Sequence, residues 1–254
     1  MSLQRVDYDD HQHRVYAKAR SISADMLLCW MEVFAAELPS ALPLALLDLG
    51  SGTGRFSPAL ADCFGGPVFG VEPSAGMRAV ASANASHPAV TYLEGEAADI
   101  PLGDATVDGV LMFLSFHHVQ DKPGAVREIA RVLKPSGRIL LRGVFSDRPP
   151  PTWYQAYFPR LEAIQAAMFP TLLEVLTLFG AQGFRQLAYR EIEEQYSESE
   201  AQAVEQLRLR GISTFDHLSD KEITSGFARM DRDLEDGRLH PPLTGRSDLL
   251  VLGR

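Results

Sequence analysis

A short glycine-rich segment constrains the fold of this chain more than any other feature. Residues 46–55 read Leu-Leu-Asp-Leu-Gly-Ser-Gly-Thr-Gly-Arg, an apolar strand that runs into a turn with a glycine at every second position. A helix is predicted directly behind the turn, from Phe56 to Cys63. Glycines let a bulky ligand approach where a Cβ would block it, and the amides at the start of the helix face that ligand. The segment predicts a strand, turn and helix that bind a nucleotide-like molecule.

The spacing of the glycines limits which nucleotide is bound. A dinucleotide fingerprint reads Gly-x-Gly-x-x-Gly or Ala. Here the third glycine is Gly54, and the position that the fingerprint requires is Arg55. An acidic residue, Asp48, lies two residues before the first glycine. The pattern disfavours NAD, but glycine-rich turns also close ordinary strand–helix connections, so the rest of the chain has to decide.

Beyond this turn, predicted strands and helices alternate. Strands are predicted at 67–72, 90–94, 107–113 and 138–144, with helices at 75–84 and from Asp121 to about Lys134, and a helix at 23–38 precedes them all. Repeated βα units predict a parallel, doubly wound sheet with helices on both faces. Glu72 ends the second strand about twenty residues beyond the glycines, where a carboxylate can accept hydrogen bonds from both ribose hydroxyls of a nucleoside.

The second half of the chain is less regular. It predicts helices at 152–168 and 171–179, a strand at 184–191, two helices that begin at the capping boxes of Ser197 and Ser219, and a closing strand at 248–252. The helices at 152–168 and 197–235 exceed what the sheet needs and are candidates for a lid. The aromatic residues of the first lid helix line an acceptor site or, as is more common at helical spacing, pack in a core (Trp153, Tyr154, Tyr157 and Phe158).

Composition excludes several classes of protein. The 254 residues carry a formal net charge of −9, with a sequence pI near 5.3, and no basic stripe is available for nucleic-acid phosphates. The two cysteines, Cys29 and Cys63, do not make a disulfide framework, so we expect a cytoplasmic protein. We expect no membrane span, because no segment looks long enough, and no metal site, because His11 and His13 have no identifiable partner ligands.

Four motifs in order resemble those of the class I S-adenosylmethionine (SAM)-dependent methyltransferases. The glycine turn resembles their motif I, and Gly95 to Pro101 resembles the segment written Gly-Asp-Ala-x-x-Leu-Pro, with Glu96 in place of the commoner Asp. Residues 107–119, which end in His117-His118-Val119, resemble motif IV of the small-molecule members. Glu128 to Gly137 is similar to their next helix and turn, with Ser136 as a departure. The motifs cover roughly residues 46–144 and indicate the broad type 11, or ubiquinone-biosynthesis-like, group.

The resemblance implies the fold and the cofactor site. It implies a doubly wound, seven-stranded, mostly parallel α/β sheet of the Rossmann-like methyltransferase type, with the last strand antiparallel and extra helices forming a lid. It implies SAM as cofactor and S-adenosylhomocysteine as product. An N-terminal Tyr-x-x-x-Arg element, here Tyr16 to Arg20, folds over the cofactor in many members, and the other implied cofactor residues follow the sheet edge (Asp48, Gly50, Ser51, Gly52, Thr53, Gly54, Glu72, Pro73, Met77, Glu96, Ala97 and Phe113).

We therefore expect one methyltransferase domain over 1–254. Within it, 1–40 is an N-terminal helical cover, 41–145 the cofactor-binding core, 146–235 the lid helices and sixth strand, and 236–254 the closing strand. Its oligomeric state, monomer or homodimer, is left open.

The acceptor class follows from missing motifs. The tetrad that base N-methyltransferases carry after the fourth strand is replaced by Met112-Phe113-Leu114-Ser115, and Cys63 lies on the wrong side of the glycines to serve as the nucleophile for base C5 methylation. A small molecule, methylated at oxygen, nitrogen or carbon, is the remaining candidate. His117 and His118 are the candidate general bases, since histidine titrates near neutral pH. Alternatives are a SAM-binding protein without methyltransferase activity and, less favoured, an NAD-dependent oxidoreductase.

Overall fold

The computed structural model describes residues 22–254, and these form a seven-stranded sheet with helices on both faces. The strand order is β3-β2-β1-β4-β5-β7-β6. The strands are β1 (Leu44–Leu49), β2 (Gly65–Glu72), β3 (Val90–Glu94), β4 (Val107–Phe113), β5 (Leu133–Gly143), β6 (Arg185–Gln195) and β7 (Thr244–Gly253). β1 to β5 pair in parallel, and β7 pairs antiparallel with both β5 and β6. The predicted doubly wound sheet with an antiparallel last strand is confirmed.

The helices cover two separate apolar faces. They are α1 (Ala24–Glu37), α2 (Ser57–Phe64), α3 (Ala75–Asn84), α4 (Lys122–Val132), α5 (Leu161–Met168), α6 (Leu172–Gly180), α7 (Glu200–Arg208) and α8 (Asp220–Glu235). Helices α1 and α2 pack on one face of the sheet, where Trp30 and Phe34 are fully buried. Helices α4 and α6 pack on the other face through Ile129 and Phe179. The strands lie between these two layers of helices and are apolar on both sides, as expected for a covered parallel sheet.

The topology fixes where a ligand can bind. β1 lies between β2 and β4 in the sheet, so the chain leaves β1 toward one side and reaches β4 on the other. In open α/β sheets, ligands bind at such a switch point, outside the carboxyl ends of the strands. The glycine turn after β1, Glu72 at the end of β2 and Phe113 at the end of β4 all lie at this edge.

The two segments predicted to form a lid, residues 152–168 and 197–235, contribute most of a third hydrophobic cluster, separate from the two clusters of the sheet. Phe158 is 2% exposed and packs on Phe215 and Phe227, with ring centroids 4.9 and 5.2 Å away. The half-buried rings of Trp153, Tyr154 and Tyr157 pack against the same cluster. The aromatic residues therefore serve as core, the commoner of the two interpretations above, and the lid is held together independently of the sheet.

Two local predictions in the lid region are wrong. The predicted helix 152–168 is a short 3-10 turn, Gln155–Tyr157, followed by α5, which begins only at Leu161. Helix α7 is capped by Ser199, whose hydroxyl accepts from the Gln202 amide, and not by Ser197. Ser197 is buried and donates to Gln206 Oε1 at 2.6 Å, so its hydroxyl is occupied by a tertiary contact. The second capping box, at Ser219 and Glu222, is confirmed.

One stretch of residues 22–254, Leu161–Gly180, is long and apolar enough to cross a membrane by length and composition alone. In the folded chain, Phe169 to Thr171 divide this stretch into α5 and α6. Its residues Ile164 and Phe179 are fully buried in the lid core and the sheet core respectively. Length and composition are weak evidence for a span, and the absence of a membrane partner stays a prediction.

Candidate cofactor site and active site

The glycine turn joins β1 to α2 in left-handed backbone conformations. Gly50, Gly52 and Gly54 have φ values of +76°, +56° and +74°, a region that favours glycine. The amides of Gly50 and Ser51 both donate to the Val71 carbonyl of β2, at 2.8 and 3.2 Å, which fastens the turn to the neighbouring strand. A Cβ on Gly54 would meet the Tyr92 hydroxyl at 2.2 Å. The turn is therefore tightly packed on its sheet side, and the buried Ser51 Oγ has no hydrogen-bond partner within residues 22–254.

Glu72 is held rigidly at the carboxyl end of β2. Its Oε2 accepts from the Gly52 amide at 3.0 Å and its Oε1 from the Ser74 amide at 2.9 Å. Burial raises the pKa of this carboxyl, and the two amide hydrogen bonds counteract part of that rise. A carboxylate has about four acceptor positions, so each oxygen retains capacity for one more donor. The carboxylate thus links the glycine turn to the start of α3 and can still accept two hydroxyls.

Asp48 lies beneath the turn and is only 3% exposed. Its Oδ2 accepts from the Ser57 hydroxyl at 2.7 Å. Burial raises the pKa of Asp48 to about 6, and the Ser57 hydrogen bond and the nearby Arg55 charge offset part of this effect. The carboxyl therefore joins β1 to the first turn of α2, and supporting the glycine turn is the role that these contacts indicate.

The raised pKa of Asp48 makes a prediction for Asp48→Asn. Because the folded-state pKa, about 6, exceeds the ordinary 3.8, the stability from this group is fully present below pH 4 and is lost as the pH rises through 6. Asparagine resembles the neutral acid and can still accept from Ser57. The variant should gain up to about 3 kcal/mol in unfolding free energy over the native protein at pH 8, but only about 0.5 kcal/mol at pH 4. Urea denaturation across this range measures the difference, and an equal difference at both pH values would contradict the assignment.

The segment that resembles the adenine-binding loop is fastened from behind by α4. Arg131 donates to the Ile100 carbonyl at 3.0 Å and to the Leu102 carbonyl at 2.7 Å. Glu128 accepts from the Ile100 amide at 3.0 Å and pairs with Arg131. Glu96 and Asp99 form an isolated β-bridge in this loop, and both are exposed. The structure thus holds Glu96 and the half-buried Ala97 at the carboxyl edge of β3, where the resemblance implies a cofactor contact.

The remaining implied cofactor residues divide between the edge and its surroundings. Phe113, 9% exposed, closes β4, and Met77 of α3 is buried behind Glu72. Pro73 is exposed in the turn after β2, and its carbonyl accepts from Arg78 at 2.8 Å. Thr53 is buried within the glycine turn. Tyr16 and Arg20 lie outside the described residues, so their predicted roles stay predictions.

The two candidate bases follow β4 on a 3-10 turn, Phe116–His118. The turn leaves the sheet through Leu114, which has φ +58°, and the Ser115 hydroxyl donates to the Leu49 carbonyl of β1 at 2.7 Å. The two imidazole centroids are 4.0 Å apart, and the His117 ring packs edge-on against Phe169 at 4.7 Å. Both histidines are half-buried beyond the carboxyl end of β4.

Sequence reasoning missed a buried ionic group at the same edge. Arg142 of β5 pairs with Glu194 of β6, and both side chains are less than a tenth exposed. Ser247 and Trp30 complete the group. The signal that pointed to it was a charged residue in an otherwise apolar strand, Ile139-Leu140-Leu141-Arg142. Among residues 22–254, no group of three or more His, Cys, Asp or Glu side chains is placed to hold a metal ion.

Comparison with known proteins finds similarity to methyltransferases over the first half of the sheet. Residues 47–141 match the model of a family described as a methyltransferase domain. This range contains the glycine turn, Glu72, the adenine-type loop and the histidine pair. This part of the chain is therefore similar to a methyltransferase domain. An O-methyltransferase of Penicillium expansum, cnsE, is 36% identical over 110 residues, which cover 42% of this chain and 40% of that protein. The chain spans about half the length of the curated relatives it matches.

Solved structures of proteins with low sequence identity share the fold. A protein of Anabaena variabilis, described as a methyltransferase from an antibiotic biosynthesis pathway, superposes with a TM-score of 0.74 at 24% identity, covering 89% of this chain and 97% of that one. The [4+2]-cyclase SpnF superposes with a TM-score of 0.63 at 19% identity, covering 93% and 84%. Because a protein described as a cyclase has the same architecture, the methyltransferase fold alone does not decide the reaction.

Proposed function

We propose that the protein transfers a methyl group from SAM to a small-molecule acceptor. The observation that carries this proposal is the geometry of Glu72, which is fixed by two backbone amides beside the glycine turn and has acceptor capacity on both oxygens. The family match, the left-handed glycines and the unpartnered Ser51 Oγ all support a nucleoside at this edge. The relative named an O-methyltransferase supports an oxygen acceptor for the reaction.

Each part of the edge has a role in this proposal. Glu72 accepts from the ribose hydroxyls, and the glycine turn leaves room for the methionine end. Glu96 and Ala97 meet the adenine, with Phe113 below the reacting centre. When bound, the cofactor would supply an electrophilic sulfonium methyl group, which the acceptor would attack in line with S-adenosylhomocysteine as the leaving group. Such a reaction gains about 7–11 kcal/mol from orientation, so the rigid loops fastened by Arg131 and Val71 contribute by positioning.

The acceptor loses a proton in this reaction. We propose that His117 or His118 is the general base that accepts it. Replacing the base with alanine should lower kcat by about 10²- to 10⁴-fold without changing the affinity for S-adenosylhomocysteine. The variant with alanine at the other histidine should retain nearly native turnover. His240, which is exposed and contacts Glu200 of α7, provides the control substitution. Native turnover in both His117→Ala and His118→Ala would show that the pair only packs against its neighbours.

The proposed function is tested first by calorimetric titration with S-adenosylhomocysteine, with NAD as the parallel control. Binding of the first ligand alone is the expected result, and binding of NAD alone would overturn the cofactor assignment. Methyl transfer is then followed with methyl-labelled SAM across phenols, carboxylic acids and amines. Tight S-adenosylhomocysteine binding with no labelled product would favour the second candidate, a SAM-binding protein without methyltransferase activity.

A further inference from the structure

Ser115 joins two turns at the carboxyl edge of the sheet. Its hydroxyl donates to the carbonyl of Leu49, the residue directly before Gly50, at 2.7 Å. Its own carbonyl accepts from the amide of His118 at 3.0 Å, within the 3-10 turn Phe116–His118 that carries both candidate bases and is called the histidine turn below. Ser115 therefore contacts the glycine turn through its side chain and the histidine turn through its backbone.

Ser115 also packs tightly on Gly50. A Cβ built on Gly50 would meet the Cβ of Ser115 at 2.5 Å and its Oγ at 3.0 Å, so the serine fills the space that a side chain on this glycine would need. The Gly50 amide in turn donates to the Val71 carbonyl of β2 at 2.8 Å, next to Glu72. Because close-packed groups transmit displacements, a movement of the glycine turn has to move Ser115 as well.

Other contacts hold the histidine turn at its two ends. Before it, Leu114 has φ +58°, a left-handed conformation that is uncommon for residues other than glycine, and its amide donates to the Arg142 carbonyl of β5 at 2.9 Å. After it, the ammonium group of Lys122 in α4 donates to the Val119 carbonyl at 2.8 Å. Neither of these contacts involves the glycine turn, whereas the contact of Ser115 does.

We propose that Ser115 is a positioning residue, which transmits cofactor binding from the glycine turn to the histidine turn. This proposal rests on the proposed methyl transfer, in which the glycine turn holds the methyl donor and one of the two histidines is the base. A ligand that favours one arrangement of the glycine turn also favours the arrangement of the histidine turn that packs with it. Cofactor binding therefore sets the base in place. Ser115 acts through the histidine turn and takes no proton itself.

The test measures hydrogen exchange at the His118 and Val119 amides by nuclear magnetic resonance, on the full chain with and without saturating S-adenosylhomocysteine. In the native chain, the ligand should slow exchange at both amides by about fivefold or more. Ser115→Ala removes the hydroxyl that reaches Leu49, so the variant should still bind the ligand but lose most of this slowing. A residue that merely stabilised the fold would change exchange equally in both states, so the ratio of the two rates decides.

Lys122→Met is the matched control, because it removes the hydrogen bond to Val119 but leaves the contact with the glycine turn intact. Exchange should be faster in both states of this variant, with a native ratio. A native ratio in Ser115→Ala, or the same loss of the ratio in Lys122→Met, would overturn the proposal. So would a native chain that binds S-adenosylhomocysteine without slowing the two amides. A native chain that does not bind this ligand would instead reject the proposed function itself, so the two failures are distinguishable.

Discussion

Glu72→Ala is expected to weaken S-adenosylhomocysteine binding by about 10²- to 10⁴-fold. Two hydrogen bonds from ribose hydroxyls to a shielded carboxylate are worth roughly 1.5–3 kcal/mol each, and about 1.4 kcal/mol corresponds to a tenfold change. The substitution also frees the amides of Gly52 and Ser74, which the carboxylate holds in place. The lost hydrogen bonds and the freed amides both weaken ligand binding at the glycine turn. Calorimetry measures the affinity, and circular dichroism checks that the sheet remains folded.

Glu94 offers a matched control for this experiment. It ends β3, directly beside Glu72 in the sheet register, but its side chain is 79% exposed and pairs with Arg78. Because exposed ion pairs contribute little, Glu94→Ala should leave both affinity and stability nearly unchanged. Equal affinity in native protein and Glu72→Ala would remove the ribose assignment, and equal losses in both variants would indicate a general effect of acidic charge at this edge.

Gly54→Ala is expected to destabilise the chain by about 2–4 kcal/mol and to reduce cofactor affinity. Alanine at φ +74° costs roughly 1 kcal/mol, and its Cβ would meet the Tyr92 hydroxyl at 2.2 Å, an overpacking that typically adds 1–3 kcal/mol. The Tyr92 hydroxyl cannot move freely, because it donates to the Ala85 carbonyl at 2.9 Å. The glycine turn therefore has to shift, and urea denaturation should measure the loss in the free energy of unfolding.

Gly237→Ala separates the two components of this loss. Gly237 has φ +64°, but nothing lies within 4 Å of the Cβ that alanine would add. It should lose about 1 kcal/mol from backbone strain alone. Gly54→Ala should also cost less in a Tyr92→Ala background, because only the Ala85 Cβ, at 3.0 Å, then remains close to the added Cβ. Losses of the same size at both glycines would show that Tyr92 does not constrain the turn.

The fold and the cofactor edge could be predicted because their signals are local. The glycine turn, Glu72 and the Ser219 cap each depend on residues within a few positions, and the strands are short apolar runs between turn residues. The alternation of strand and helix then leaves few topologies for a parallel sheet. The same local reasoning placed the first lid helix too early and capped α7 at Ser197, because tertiary contacts decide both of those points.

The Arg142 group could not be predicted for the same reason. Glu194 is 52 residues from Arg142 and 164 residues from Trp30 along the chain. No spacing rule connects positions on α1, β5 and β6, and only the assembled sheet brings them together. The charged residue within an apolar strand could have indicated that something polar is buried there. It did not indicate which partner would be used.

The position of β7 has a consequence for the order in which the chain can assemble during synthesis. Residues 244–253 lie between β5 and β6, so β6 makes no strand pair in the sheet until they have left the ribosome. Such pairing is distant in sequence and intrinsically slow. The cofactor half of the sheet, β1 to β5, contains all its own pairings and can form earlier. A nascent chain is therefore expected to form the edge where we propose that the nucleoside binds before the whole sheet is complete.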